Sequence, residues 1–138
     1  MKEKLAMLSL AATLLLFAAP LFAHHSFAAE FDRDQAMKVT GTVRKVEWTN
    51  PHIWIYVDVK NPDGTVTNWA FQGGPPSYLT RSGWSKNDLK SGDTINIQGF
   101  RAKDGSNHAA GGQITLPDGR KVFALQIEGT APSPESKK

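Results

Sequence analysis

From residue 39 to residue 127 the apolar positions of this chain tend to recur every second residue, not every third or fourth. The clearest run is Ile53-Trp54-Ile55-Tyr56-Val57-Asp58-Val59-Lys60, where every odd position is aliphatic and the even ones pass from aromatic to charged. That alternation predicts a strand with one buried face. Val39 to Trp48 reads as a strand before it, with Gly41 as a bend or bulge. Thr65 to Gln72 reads as a third, after the turn Asn61-Pro62-Asp63-Gly64. Gly73-Gly74-Pro75-Pro76 then breaks the alternation, and Ser77 to Arg81 predicts a short helix ended by Gly83. Ser85 is expected to cap a further turn through Leu89. Thr94 to Arg101, Gln113 to Leu116 and Val122 to Ile127 complete the strands, with turns at Lys103 to Asn107 and at Pro117-Asp118-Gly119.

Three strands, a short helix and two or three more strands predict an all-β fold with one short helix. The order fits a small Greek-key barrel of the oligonucleotide/oligosaccharide-binding (OB) type, in which a helix separates the third and fourth strands. A β-sandwich is the alternative.

The amino-terminal region follows a different pattern. Lys2 and Lys4 precede an uncharged, Leu/Ala-rich run from Leu5 to Phe22, which ends at Pro20-Leu21-Phe22-Ala23. A basic start, an apolar stretch and a small residue at the cut predict a secretory signal over residues 1–23, cleaved after Ala23. The run is close to the roughly 20 residues that span a bilayer, but Pro20 and Ala23 favour cleavage over anchoring. Export to the periplasm, with no stable membrane insertion after cleavage, is the expectation. The mature chain is then a single domain over 24–128, with an aperiodic tail over 129–138 expected to be disordered.

Composition narrows the function classes. There is no Cys, so disulfides and lipid attachment at Cys are excluded, and the formal charge is only +3. Basic and acidic residues are interspersed, which predicts a solvated surface and not a nucleic-acid footprint. No nucleophile spacing or phosphate loop is present. A binding role is therefore expected over catalysis, with an unknown small ligand or protein as partner.

Several stretches carry a resemblance: His24-His25-Ser26-Phe27-Ala28-Ala29-Glu30-Phe31-Asp32, Trp48-Thr49-Asn50-Pro51-His52, and Gly99-Phe100-Arg101-Ala102-Lys103-Asp104-Gly105-Ser106. Asn68-Trp69, Gly83-Trp84 and Leu116-Pro117-Asp118-Gly119 add to it. Together they resemble the bacterial exported family described as domain of unknown function 6152. The resemblance implies a small secreted β-rich domain and carries no activity, substrate or cofactor. The chain departs from the family pattern around His108-Ala109-Ala110-Gly111-Gly112, so the resemblance gives His108 no role.

Two sets of residues carry candidate chemistry. Cleavage after Ala23 would give His24 a free α-amine beside its own imidazole, a chelating pair that one further imidazole can complete. Nitrogen-rich sites of this kind favour Cu(II), which tops the divalent affinity order. Amine and imidazole, with ordinary pKa values near ~8 and ~6.5, both lose their protons readily enough to bind near neutral pH. The metal-ligand expectation is His24, His25 and His52, with His108 behind them and Glu30 and Asp32 as outer or oxygen ligands. Chance is the competing reading, since a flexible His pair binds copper weakly without purpose. The second set is Trp54 and Tyr56, opposite the Ile53, Ile55 and Val57 face, where they can stack on a planar ligand. Burial beneath the Phe27 to Phe31 segment is its competing reading. Trp48, Trp69 and Trp84 are the remaining tryptophans, with Trp69 expected to be covered.

Overall fold

The computed structural model describes residues 27–125; the expected signal, His24, His25 and the tail lie outside them. The elements are α1 (Phe27–Glu30), β1 (Phe31–Glu47), β2 (Trp54–Lys60), β3 (Val66–Gln72), α2 (Pro76–Arg81), β4 (Thr94–Ala102), β5 (His108–Thr115) and β6 (Lys121–Phe123). The alternation in β2 does what the sequence predicts. Ile55 and Val57, with Ile53 just ahead of the strand, are fully buried, while Trp54 and Tyr56 are half-buried on the other face.

The strands pair in the order β3-β2-β1-β4-β5-β6, and β5 also pairs with β3. That second pairing closes β1 to β5 into a ring, antiparallel everywhere except the parallel β3–β5 contact. The fold is all-β and barrel-like, with α2 between β3 and β4, in accord with the expected architecture; there are two short helices and not one. Phe71, Ile97 and Ile114 fill the ring interior, and Leu79 of α2 and Trp84 pack against the same core. Pro76 at the first turn of α2 suits a position whose N–H would have no partner.

Several boundaries differ from the sequence reading. β1 starts at Phe31 and not Val39, because its polar first half is recruited by pairing with β4 and not by burial, with an irregularity between Phe31 and Ala36. The bulge in β1 falls between Val43 and Lys45, not at Gly41. Ser85 to Leu89 is the expected further turn: the Ser85 hydroxyl accepts the Asn87 N–H at 3.2 Å, the Asp88 carboxylate accepts the Ser85 N–H at 2.8 Å, and the Asp88 N–H returns to the Ser85 carbonyl.

β5 begins at His108, five residues ahead of the expected Gln113. The segment Ala109-Ala110-Gly111-Gly112 has no large side chain, so no alternation is visible in it. The structure explains why it is small. A Cβ on Gly99 of β4 would lie 2.2 Å from the Ala110 carbonyl oxygen, and one on Gly111 would lie 3.3 Å from the Gln72 carbonyl oxygen. The strands approach too closely here for ordinary side chains. Beyond this segment, the Asp63, Asp104 and Asp118 turns share one chemistry, each carboxylate accepting the N–H two residues on at 2.9 Å.

Gly99→Ala is therefore expected to destabilise the domain by about 3 kcal/mol, the upper range of overpacking costs. Urea unfolding measures this directly, and a change within about 0.5 kcal/mol, typical of neutral surface sites, would refute the close approach.

Candidate functional site

The site is built on the outer face of the ring. On β2 and the two residues leading into it, the even positions His52, Trp54 and Tyr56 alternate with the buried Ile53, Ile55 and Val57. Across the sheet Trp54 pairs with Gln72 and Tyr56 with Ala70; Ala70 in turn pairs with His108 and Gln72 with Ala110. Because Ala70 is small, Trp54 reaches diagonally across β3 to the His108 imidazole, with ring centroids 4.9 Å apart. On its other side the imidazole meets Phe31 edge-on at 5.1 Å.

Phe31 belongs to a strap formed by α1 and the start of β1. Phe27 packs on Phe31 at 5.3 Å and edge-on against Phe100 at 5.8 Å, and Arg33 lies over the Phe27 ring. Lys103 ties the strap down twice: its backbone N–H donates to the Glu30 carbonyl at 3.0 Å and its ammonium to the Ala28 carbonyl at 2.6 Å. Phe31, Ala102 and Ala110 form a second small core beneath the strap.

This arrangement brings Glu30 to His108. The Glu30 Oε1 lies 3.6 Å from His108 Nδ1, an ion-pair distance longer than a hydrogen bond. A carboxylate facing Nδ1 favours the tautomer with the proton there and the lone pair on Nε2. His108 Nε2 is buried and has no hydrogen-bond partner. A buried acceptor left unpaired costs about 1–3 kcal/mol.

His52 is held differently. Its Nδ1 lies 3.0 Å from the Gly73 carbonyl and must donate to it, which also leaves a lone pair on Nε2. Among the described residues no group of three or more His, Asp or Glu side chains is arranged to hold a metal. Of the expected ligands, His52, His108, Glu30 and Asp32 are described; Glu30 faces His108, and His52 is held separately on Gly73. Asp32 is engaged locally, its carboxylate accepting from the Gln35 amide and the Asp34 N–H, and these bonds lower its pKa.

Trp54 and Tyr56 share a strand face but have separate surroundings. The Tyr56 hydroxyl donates to Glu47 Oε2 at 3.1 Å, Glu47 pairs with Lys45, and Arg44 and Lys45 each lie 5.7 Å from the Tyr56 ring. The Lys45 hydrogen bond holds the Glu47 carboxyl below its usual range; burial and then the bond to Glu47 raise the Tyr56 hydroxyl. Trp54 belongs instead to the His108 stack. Trp84 and Trp69 are buried, Trp84 stacked on Trp48. The residue that sequence reasoning ranked last, His108, is the centre of the site. The only sequence signal for it was its position directly after an Asp-Gly turn.

Fold and site together define a small all-β domain whose outer face carries a strapped aromatic–imidazole cluster. The chain belongs to a family of unknown function (DUF6152), whose model matches residues 12–112. The matched span includes His24, His25, His52, Trp54, Tyr56 and His108 and stops short of the Leu116 to Gly119 turn. No curated protein and no solved structure matches the chain.

Removing the Phe31 ring tests the strap. Phe31→Ala is expected to destabilise the domain by about 3 kcal/mol and to speed hydrogen exchange at the Lys103 amide, which is bonded to Glu30. Unchanged Lys103 protection would show that the strap does not depend on Phe31.

Proposed function

We propose that the protein is an exported binding or accessory domain of the periplasm that captures Cu(II) through its mature amino terminus at His24, with no role for nucleic acid or a membrane anchor. The observation that supports this is the anchored strap. Phe27 is fixed on the β4 face, and three residues extend at most about 10 Å, so chain length alone keeps a terminus at His24 close to the outer face. His52, oriented through its Nδ1 as metal-ligating imidazoles commonly are, lies on that face. His25 is the remaining nitrogen donor in the expected set. The lack of Cys agrees with a Cu(II) preference over Cu(I).

A second reading is a ligand- or partner-binding face at Trp54 and Tyr56 without metal. It is supported by the half-buried state of both rings and by the Arg44 and Lys45 cations beside Tyr56.

The two readings separate in one experiment. Cu(II) is titrated into mature protein beginning at His24 and into protein carrying one extra amino-terminal residue. The amino-terminal reading predicts that the extra residue weakens binding at least about tenfold, the lower range for disturbing a metal site. Equal affinities, together with a tryptophan fluorescence shift on adding a glycan fragment, would move the function to the Trp54/Tyr56 face.

A further inference from the structure

We infer that the outer face around Tyr56 binds a saccharide carrying carboxylate groups, with Arg44 and Lys45 recognising the anion and Tyr56 and Trp54 forming the stacking platform. The inference rests on the Trp54/Tyr56 reading above, to which it adds the ligand class, and is independent of the copper reading. Three observations carry it. First, a bulge aims two cations at one ring. In a regular strand successive side chains point to opposite faces, so one of two adjacent cations would face the core. Here the register with β2 passes from Val43 opposite Val57 to Lys45 opposite Tyr56, leaving Arg44 as the extra residue. Val43 and Val46 keep to the core side, while Arg44 and Lys45 between them are both exposed. Each cation lies 5.7 Å from the Tyr56 ring centroid. Bulges that re-aim side chains recur beside functional sites.

Second, the cations have donors to spare. Arg44 Nε meets Asp58 at 3.5 Å, longer than a good hydrogen bond, and both cationic side chains are more than half exposed. The acids they face have other partners. Asp58 accepts the Asn68 amide at 2.7 Å, and Glu47 accepts the Tyr56 hydroxyl at 3.1 Å. An incoming carboxylate can take the guanidinium fork without leaving either acid unpaired. The same two acids repel a polyanion of closely spaced charges and accept bonds from hydroxyls, which favours an acidic sugar over an acidic peptide.

Third, the platform is fixed before binding. Trp54 and Tyr56 are two positions apart on β2, about 6.7 Å along the strand. Trp54 is backed by the His108 imidazole at 4.9 Å, and Tyr56 is tied to Glu47 through its hydroxyl. Rings already held in place lose little freedom on binding. Beside them β3 presents Asn68, Ala70 and Gln72 opposite Asp58, Tyr56 and Trp54, a small residue between two amides. A sugar offers C–H faces to the rings and hydroxyls to the amides and acids.

The test uses the mature chain, residues 24–138, with three-unit oligomers of galacturonic and of mannuronic acid as probes. Each is compared with its carboxyl-reduced neutral form and with an oligoglutamate peptide of equal charge. Calorimetry gives the affinities, tryptophan fluorescence reports on Trp54, and circular dichroism checks the fold of each variant. At least one uronate oligomer is expected to bind about tenfold or more tighter than its neutral form, the lower range for a hydrogen bond to a charged group. Arg44→Gln with Lys45→Gln is expected to remove that preference, and Trp54→Ala to weaken both forms about threefold or more. Neutral and acidic forms binding equally, and through Trp54, would leave the Trp54/Tyr56 reading standing and overturn the ligand class. A folded double variant that keeps the preference, or oligoglutamate binding as tightly as the uronates, would also overturn it. Saccharide affinities all weaker than about 1 mM would overturn the inference and the Trp54/Tyr56 reading together.

Discussion

Closure of the ring by β5 on β3 is the constraint from which the rest follows. Ala70, Phe71 and Gln72 pair in parallel with His108, Ala109 and Ala110, while β5 also pairs with β4. Accommodating both neighbours forces close backbone approach, which is why Gly99 and Gly111 lack side chains and the β5 residues beside them are alanines. The same closure sets His108 beside Ala70, where the Trp54 indole reaches it. Geometry that serves the core on the inner face thus creates an aromatic–imidazole cluster on the outer one.

The strap converts that cluster into a shielded site. Its contacts include the two Lys103 hydrogen bonds, the Phe27 and Phe31 rings, Arg33 over Phe27, and the Glu30 carboxylate. They orient one imidazole and bury its second nitrogen. They also fix Phe27, the first described residue, against Phe31 and Phe100. Signal cleavage would create a ligand, since the α-amine of His24 exists only after the cut. The address label and the binding site would be made by one event.

The fold was largely legible because β2, β3 and β4 are patterned by burial. Ile53, Ile55 and Val57 alternate cleanly, and the Asp-Gly turns at Gly64, Gly105 and Gly119 carry their own conformational chemistry. Legibility failed where the backbone, and not side chains, determines structure. The first half of β1 is polar and joins the sheet through hydrogen bonds to β4. The start of β5 is small because the strands crowd it, and small residues leave no periodicity. His108 was obscured for the same reason, since it heads that run. Trp54 was rightly placed on the outer face, but its partner, 54 residues away in sequence, depends on ring closure that no local pattern encodes. Tyr56, the neighbour two residues on, proved to belong to the Glu47, Lys45 and Arg44 cluster instead.

The central claim is that ring closure and strap together leave His108 with its proton on Nδ1 and an open lone pair on Nε2. Long-range 1H–15N correlation spectra of the imidazoles, recorded where the rings are neutral, test it most directly. The account predicts a protonated, pyrrole-type Nδ1 and a bare, pyridine-type Nε2 for His108. A protonated Nε2 would contradict it, because the buried nitrogen would then be a donor with no lone pair to give.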